Sequence, residues 1–483
     1  MAEKSLKVNA IFSFIRSFMN LAFPIITFPY ASRILMPEGI GQVNFANSIV
    51  QYFILIAELG IVSYAIRESA KVRLNNQLFS KFAKEIFVIN ISSTLLAYCL
   101  LFLSLFCVKS LHDYKILIII CSVRILFTTF GMDWIYAAKE EFRYITINSA
   151  VFQIISIIYL FIFVCSSDDV IEYTIFGILS TTGSNICNIL YSRKIVDWKI
   201  KITYEIKKHL KPIFVLFGTT VAISIYTILD STMLGFLAGD EAVGIYTAAT
   251  KINRMLVAVT ASLNTILLPR LSFYVEGQQQ EYRTTLKKSF NYMVLIAIPM
   301  VVGLFVLAKP IVIIFCGNDF EQAVLPMRMM TPILLLISLG SFFSQQVFVP
   351  YRKDKYSFHP VLAGAFINVI INYLLIPRYQ VIGAAIGTLV AEFTVTLIKF
   401  FLGVKVLDSL FFLVKGSLQY FLSALLMGIC VYFVNQYATI SILSLLMEIA
   451  LGALIYFICL YLLKNQYVLG LVNDIKRRVA RTH

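Results

Sequence analysis

Apolar residues run along this chain in long continuous blocks separated by short polar segments. Fourteen such blocks fall near 9–32, 42–64, 86–108, 116–138, 145–165, 173–191, 213–236, 244–268, 290–313, 327–350, 359–377, 382–404, 416–436 and 442–463. Each approaches the roughly 20 residues that a helix needs to cross about 30 Å of hydrocarbon. The blocks are continuous rather than alternating, which sets aside a transmembrane barrel of strands about ten residues long. The pattern predicts an all-α integral membrane protein of about 14 transmembrane helices. The start, Met1 to Lys7 followed by an apolar run interrupted by Pro24 and Pro29, lacks a small-residue cleavage site. It reads as a retained first span rather than a signal peptide.

Composition agrees. Of 483 residues, 59% are hydrophobic and 14% charged, against about 25% charged in a soluble domain. That excludes a soluble enzyme, a disulfide scaffold and a disordered tail. A net charge of +15 would suggest nucleic acid as a partner, but its distribution gives another meaning. Most of the 41 Lys and Arg sit in loops on the side of both termini, which the positive-inside rule places in the cytoplasm. These loops are 65–84 (Arg67, Lys71, Arg73, Lys81, Lys84), 193–211, 270–288, 351–355 and the tail through Arg481. Their expected role is topological and lipid-facing, with no nucleic acid partner. The opposite loops are short and acidic, as in Asp168, Asp169 and Glu172, Asp240 and Glu241, and Asp319 and Glu321. The eight cysteines show neither CxxC nor pairing with His, so no disulfide or metal role is expected.

Membrane transporters are often built from repeats. Here the segment Pro37-Glu38-Gly39-Ile40-Gly41 resembles Asp240-Glu241-Ala242-Val243-Gly244 at an offset of 203 residues, and the stretch after Tyr144 resembles that after Tyr356 at an offset of 212. Both comparisons pair six-span halves in the same orientation. The expected organisation is a six-helix lobe at 1–203, a second at 204–411, and two accessory helices with a basic tail at 412–483.

Four stretches then bring a known group into view. They are Pro29-Tyr30-Ala31-Ser32-Arg33-Ile34-Leu35 with Gly39 and Gly41; Tyr52-Phe53 through Leu59-Gly60-Ile61 to Tyr64-Ala65-Ile66-Arg67-Glu68; Asp230 through Met233-Leu234-Gly235 to Gly244-Ile245-Tyr246; and Asn372-Tyr373-Leu374-Leu375-Ile376-Pro377 with Gly383-Ala384-Ala385. In order, spacing and placement the chain resembles the polysaccharide flippases of the multidrug/oligosaccharidyl-lipid/polysaccharide exporter superfamily, which serve O-antigen and capsule synthesis. The resemblance implies two six-helix lobes around a central cavity plus two accessory helices. It implies a bacterial cytoplasmic (inner) membrane location, a lipid-linked oligosaccharide substrate, membrane lipids as surroundings, and a polysaccharide polymerase with chain-length machinery as further partners.

Charges inside spans are the candidate chemistry, because an ionisable residue at mid-bilayer costs about 2.5–3.5 kcal/mol on insertion scales and tends to face a cavity or a partner. Arg16, Arg124, Lys251 and Arg254 lie well inside their spans. Lys251 and Arg254, three residues apart, share a helix face and need water or an anion between them. All four are expected to contact substrate. Arg124 and Asp133, nine residues apart on one span, are separated by about 13 Å along the axis and would pair only through an intervening helix. Lys309 and Arg328 are expected to snorkel. Among the in-span acids, Glu58, Asp133, Asp230, Glu392 and Glu448, the candidates for ion coupling are Asp230, Glu392 and Glu58. The alternative is that they neutralise the arginines. Asp133, beside Trp134 and Tyr136, reads as part of an interfacial belt. Pro24 and Pro29 make the first span the candidate bending gate.

Unpaired hydroxyls cost several kcal/mol each in hydrocarbon and a pyrophosphate far more, so the head group needs a hydrated cavity with fixed cations while the polyprenyl tail stays in lipid. The expected function is flipping by alternating access, without covalent chemistry or cofactor, coupled to a Na+ or H+ gradient or to the membrane potential. The alternative is a cation-coupled multidrug exporter of the same superfamily, which should have a cavity dominated by acids. A membrane-embedded polymerase would need a larger exoplasmic loop, and a nucleotide-driven pump a GxxxxGK[ST] loop that the sequence lacks.

Overall fold

The computed structural model describes residues 6–409, 413, 417–470 and 472–473, without the side chains of 6, 7, 10, 219, 222, 223, 225 and 261–266. The basic tail through Arg481 and the first residues of the expected accessory segment, 412 and 414–416, lie outside the described residues. Helices build the described chain, and no strand occurs among the described residues. By contact the chain divides into two units, Met1–Gly244 and Ile245–His483.

In the first unit, α1 (Leu6–Glu58) is broken at Met36, whose φ of 58° and ψ of 178° leave the helix immediately before Pro37. A proline disfavours helical backbone in the residue before it, so α1 becomes two arms that take the first two expected spans. Leu59 and Gly60, both at positive φ, end the second arm. There follow α2 (Ile61–Val72) and α3 (Asn76–Cys107), the latter capped by the Asn75 side chain accepting from the Gln77 and Leu78 N–H groups. Next come α4 (Lys115–Gly131) and α5 (Asp133–Ala138), separated by Met132 at φ 47°. α6 (Phe142–Phe163), α7 (Val170–Thr182), α8 (Asn185–Ser192) and α9 (Lys207–Ala238) complete the set. α1 packs against α3, α4, α6, α7 and α9 and so forms the spine of the unit. α9, the first helix of the second half in the sequence repeat, lies along α1 and α2.

α10 (Asp240–Ile266) starts in the first unit and continues into the second. There it is followed by α11 (Leu268–Val275), α12 (Gln279–Val306), α13 (Ala308–Cys316) and α14 (Val324–Phe342), which runs on into a π-helical turn at Phe343–Phe348. α15 (Lys355–Leu407) is again two arms, broken at Gln380 with φ 47°. α16 (Ser417–Tyr437) and α17 (Ile442–Leu462) pair with each other, and α16 lies on α12. Among the described residues, nine helical segments are long and apolar enough to cross a membrane, and two of them, Ile11–Val72 and Lys355–Leu407, contain the bent helices.

Polar groups are satisfied between helices, as an apolar surrounding demands. In the first unit Asn90 and Ser93 of α3 both donate to the Ala57 carbonyl, at 2.7 and 2.6 Å. In the second unit three buried tyrosines do the same: Tyr282 to the Gln346 carbonyl at 2.8 Å, Tyr420 to Asn291 Oδ1 at 3.1 Å, and Tyr456 to the Leu295 carbonyl at 3.0 Å.

Candidate functional site

The first unit gathers the in-span charges of α1, α4 and α5. Arg16 stands about three turns into α1, and Asp133 is the first residue of α5, re-aimed by the left-handed backbone at Met132. Arg16 Nη2 lies 3.7 Å from Asp133 Oδ2, with 36% and 44% of the two side chains exposed. Asn188 Nδ2 donates to the other carboxylate oxygen, Oδ1, at 2.7 Å. Asn188 is itself fully packed and accepts from Asn148 at 3.1 Å. Asp133, which its aromatic neighbours in sequence suggest as part of an interfacial belt, thus also stands beside a cation. It stands opposite Arg16, a relation between residues far apart in sequence that only the folded chain brings about.

Arg124 of α4 does not reach Asp133. Its Nη1 donates to Asn47 Oδ1 on the second arm of α1 at 2.8 Å, while its buried Nε has no hydrogen-bond partner. Glu58, the last residue of α1, lies within electrostatic reach of both Arg124 and Asp133. Two cations and two carboxylates are thus gathered in this unit, with Asn188 on Asp133, Asn47 on Arg124 and Glu58 within electrostatic reach of Arg124 and Asp133.

In the second unit, Lys251 and Arg254 occupy one turn of α10, the first half-buried and the second exposed. Asn253 between them is buried, donates to the Ala249 carbonyl at 3.0 Å and leaves Oδ1 without a partner. Glu392 is half-buried in the second arm of α15. Asp230, on α9 in the first unit, is 4% exposed. It lies within electrostatic reach of Tyr52, whose hydroxyl donates to Thr232 Oγ1 at 3.2 Å. Pro24 and Pro29 sit inside the continuous first arm of α1, and the break in that helix falls at Met36 instead. Near the acidic-loop end, Lys309 pairs with Glu321 at 2.7 Å and Arg328 donates Nε to the Phe305 carbonyl at 3.2 Å.

Two features were not singled out from sequence. Lys399 in α15 is 8% exposed and donates to the Gly340 carbonyl at 3.3 Å, close to where α14 passes into the π-helical turn. The second is a buried relay near the basic-loop end. Tyr64 Oη lies 2.7 Å from His209 Nδ1, and His209 Nε2 lies 2.9 Å from Glu85 Oε2. The other Glu85 oxygen accepts the Glu205 N–H at 2.9 Å. A histidine in a lysine-rich loop and a glutamate at a span edge carry no local signal of each other.

A family model described as polysaccharide biosynthesis protein matches residues 6–275, and one described as MatE matches residues 216–374. A protein of Escherichia coli (strain K12) described as "Putative O-antigen transporter" is 26% identical over 400 residues, covering 81% of this chain and 95% of that one. Capsular polysaccharide biosynthesis protein CapF of Staphylococcus aureus is 22% identical over 389 residues, 76% of this chain and 91% of its own. Among solved structures, lipid II flippase MurJ in an inward closed conformation superposes with a TM-score of 0.74 at 21% identity, over 95% of this chain and 99% of that one. A multidrug resistance MATE family transporter in an inward-facing conformation superposes at 0.60 and 14% identity, over 81% of this chain and 94% of that one. The fold is shared with both.

Proposed function

Because the chain belongs to the polysaccharide biosynthesis protein family, we propose that it is a flippase, carrying polyprenyl-pyrophosphate-linked oligosaccharide repeat units from the cytoplasmic to the exoplasmic leaflet of a bacterial cytoplasmic membrane. The termini face the cytoplasm, and the product feeds a surface polysaccharide such as O-antigen or capsule. The observation that carries this reading is the in-span set of Arg16, Arg124, Asp133 and Glu58, in which Arg16 keeps 36% of its side chain exposed and is held by Asp133 only at 3.7 Å. A guanidinium placed in this way exchanges a distant carboxylate for a phosphate that it grips with two hydrogen bonds. Arg16, Arg124, Lys251 and Arg254 line the hydrated path for the head group, and the isoprenoid tail stays in lipid. Residues 1–203 and 204–411 act as the two repeats of an alternating-access cycle, with 412–483 as an accessory pair. Asp230, Glu392 and Glu58 are the candidates for taking up a Na+ or H+ that drives the return step, and Pro24 and Pro29 weaken the first arm of α1 for bending. A polymerase and chain-length machinery receive the product.

Deletion of the gene tests the reading. Lipid-linked repeat units should accumulate on the cytoplasmic leaflet and surface polysaccharide should fall. A second reading, a cation-coupled multidrug exporter, has the match of the MatE model in its favour. On that reading deletion leaves the surface polysaccharide intact and raises sensitivity to cationic drugs.

A further inference from the structure

The second arm of α1 and the helix α10 begin alike. Pro37 opens one and Asp240 the other, and the fifth residue of each is a glycine, Gly41 and Gly244. The internal repeat aligns these same positions. In the structure the two helix starts cross at the two glycines. A Cβ on Gly41 would run into the Asp240 carbonyl oxygen and come to 3.0 Å from the Gly244 nitrogen, and a Cβ on Gly244 would run into the Pro37 carbonyl and come to 3.0 Å from Pro37 Cα. The obstacles are backbone atoms on both sides, so no change of rotamer relieves them. Tyr114 braces the crossing by donating its hydroxyl to Asp240 Oδ1 at 2.7 Å. Its ring meets Phe45 edge-on at 4.8 Å, and Phe45 meets Phe236 at 5.1 Å.

We propose that this crossing is the closed gate at the acidic-loop end of the transporter, and that Gly41 and Gly244 are the positions whose missing side chains allow it to shut. The proposal rests on the alternating-access reading above. Alternating access requires a contact at one end that forms and breaks in each cycle. The backbone-to-backbone crossing is held by the hydrogen bonds of Tyr114 and Gln42 to Asp240 and by Phe45 seated against Gly235 and Phe236, and these are the contacts that opening releases. Glu38 and Asp113 lie within electrostatic reach of Tyr114 beside Asp240, so like charges favour separation while the glycines and Tyr114 favour closure. Gly244 is also the last residue of the first unit, from which α10 continues into the second.

The test uses the full-length protein with its eight native cysteines replaced and a single reporter, Asn44→Cys, just below the crossing on α1. Right-side-out vesicles are treated with a membrane-impermeant maleimide. Gly41→Ala and Gly244→Ala should each raise the labelling rate about tenfold, because overpacking at the contact shifts the population toward the open form. Tyr114→Phe, which changes no volume and is the readout if the alanine variants fail to reach the membrane, should raise it by about threefold to tenfold through loss of one hydrogen bond. Unchanged labelling in Tyr114→Phe and in the alanine variants that assemble would overturn the gate. So would reduced flux with unchanged labelling, which marks the glycines as fixed packing. Labelling needs no substrate, so an increase without transport of lipid-linked oligosaccharide would count against the substrate reading and leave the gate standing.

Discussion

The Tyr64–His209–Glu85 relay ties α2, the start of α9 and α3 together at the basic-loop end of the first unit, and its removal has a calculable cost. Glu85 is 1% exposed and His209 3% exposed. In His209→Ala the Tyr64 hydroxyl, on a residue 4% exposed, loses its partner, which costs about 1–3 kcal/mol for a buried unsatisfied group. Glu85 Oε2 keeps Lys208 Nζ at 3.4 Å, so its loss stays near the lower end of the 3–5 kcal/mol typical of a broken buried pair. Together with the space left by the imidazole, the sum is about 4–6 kcal/mol or more. Tyr64→Phe should cost about 1 kcal/mol. The double variant should fall short of the sum by about 1 kcal/mol, since the Tyr64 hydroxyl is already orphaned once His209 is gone. Denaturation in mixed micelles followed by tryptophan fluorescence reads this directly. The chain has two tryptophans, Trp134 and Trp198, both in the first unit. Trp134 lies 5.8 Å from Phe82, which lies 5.5 Å from His209. Unchanged midpoints in both single variants, or strict additivity in the double, would refute the reasoning.

Two further outcomes follow from the same structure. Lys399→Met should lower the denaturation midpoint, because the buried ammonium donates to the Gly340 carbonyl at 3.3 Å and lies within electrostatic reach of Glu392, and its removal takes a cation away from that half-buried carboxylate. An unchanged or higher midpoint would contradict this. Glu205 bridges Lys208 at 2.5 Å and Lys81 at 3.2 Å, and these hydrogen bonds hold its carboxyl below the usual value. A carboxyl with a lowered folded value contributes at neutral pH and loses that contribution as pH falls through it. Limited proteolysis of the 193–206 loop should therefore be slow near pH 7 and faster below about pH 4, with Glu205→Gln cut rapidly at both.

How far the sequence reaches depends on the range of the interaction. The apolar blocks are a local property, so helix forms along them, but hydropathy does not show the breaks within a block, at Met132 between α4 and α5 and at Leu307 between α12 and α13. The bends at Met36 and Gln380 are less visible, since both break residues are non-glycine and only Met36 has a proline directly after it. α12 begins at Gln279, ahead of its apolar block at 290, because its first turns are polar and hydropathy does not register them. Charges inside the spans were legible as candidates, but their partners were not. Nothing in the sequence linked Asp133 to Arg16, and Asn47, which accepts from Arg124, looked like any polar residue in a span. The reciprocal glycines were visible as a repeat, while their contact needed three dimensions.

The account turns on the claim that the cations inside the spans accompany an anionic head group through a wet passage. Flux of a fluorescent polyprenyl-pyrophosphate oligosaccharide in proteoliposomes measures this most directly. Arg16→Ala, Arg124→Ala, Lys251→Ala and Arg254→Ala should each lower flux by about tenfold or more, with Arg16→Lys retaining part of it because phosphate also accepts a point charge. Undiminished flux after Arg16→Ala and Arg254→Ala would contradict the account.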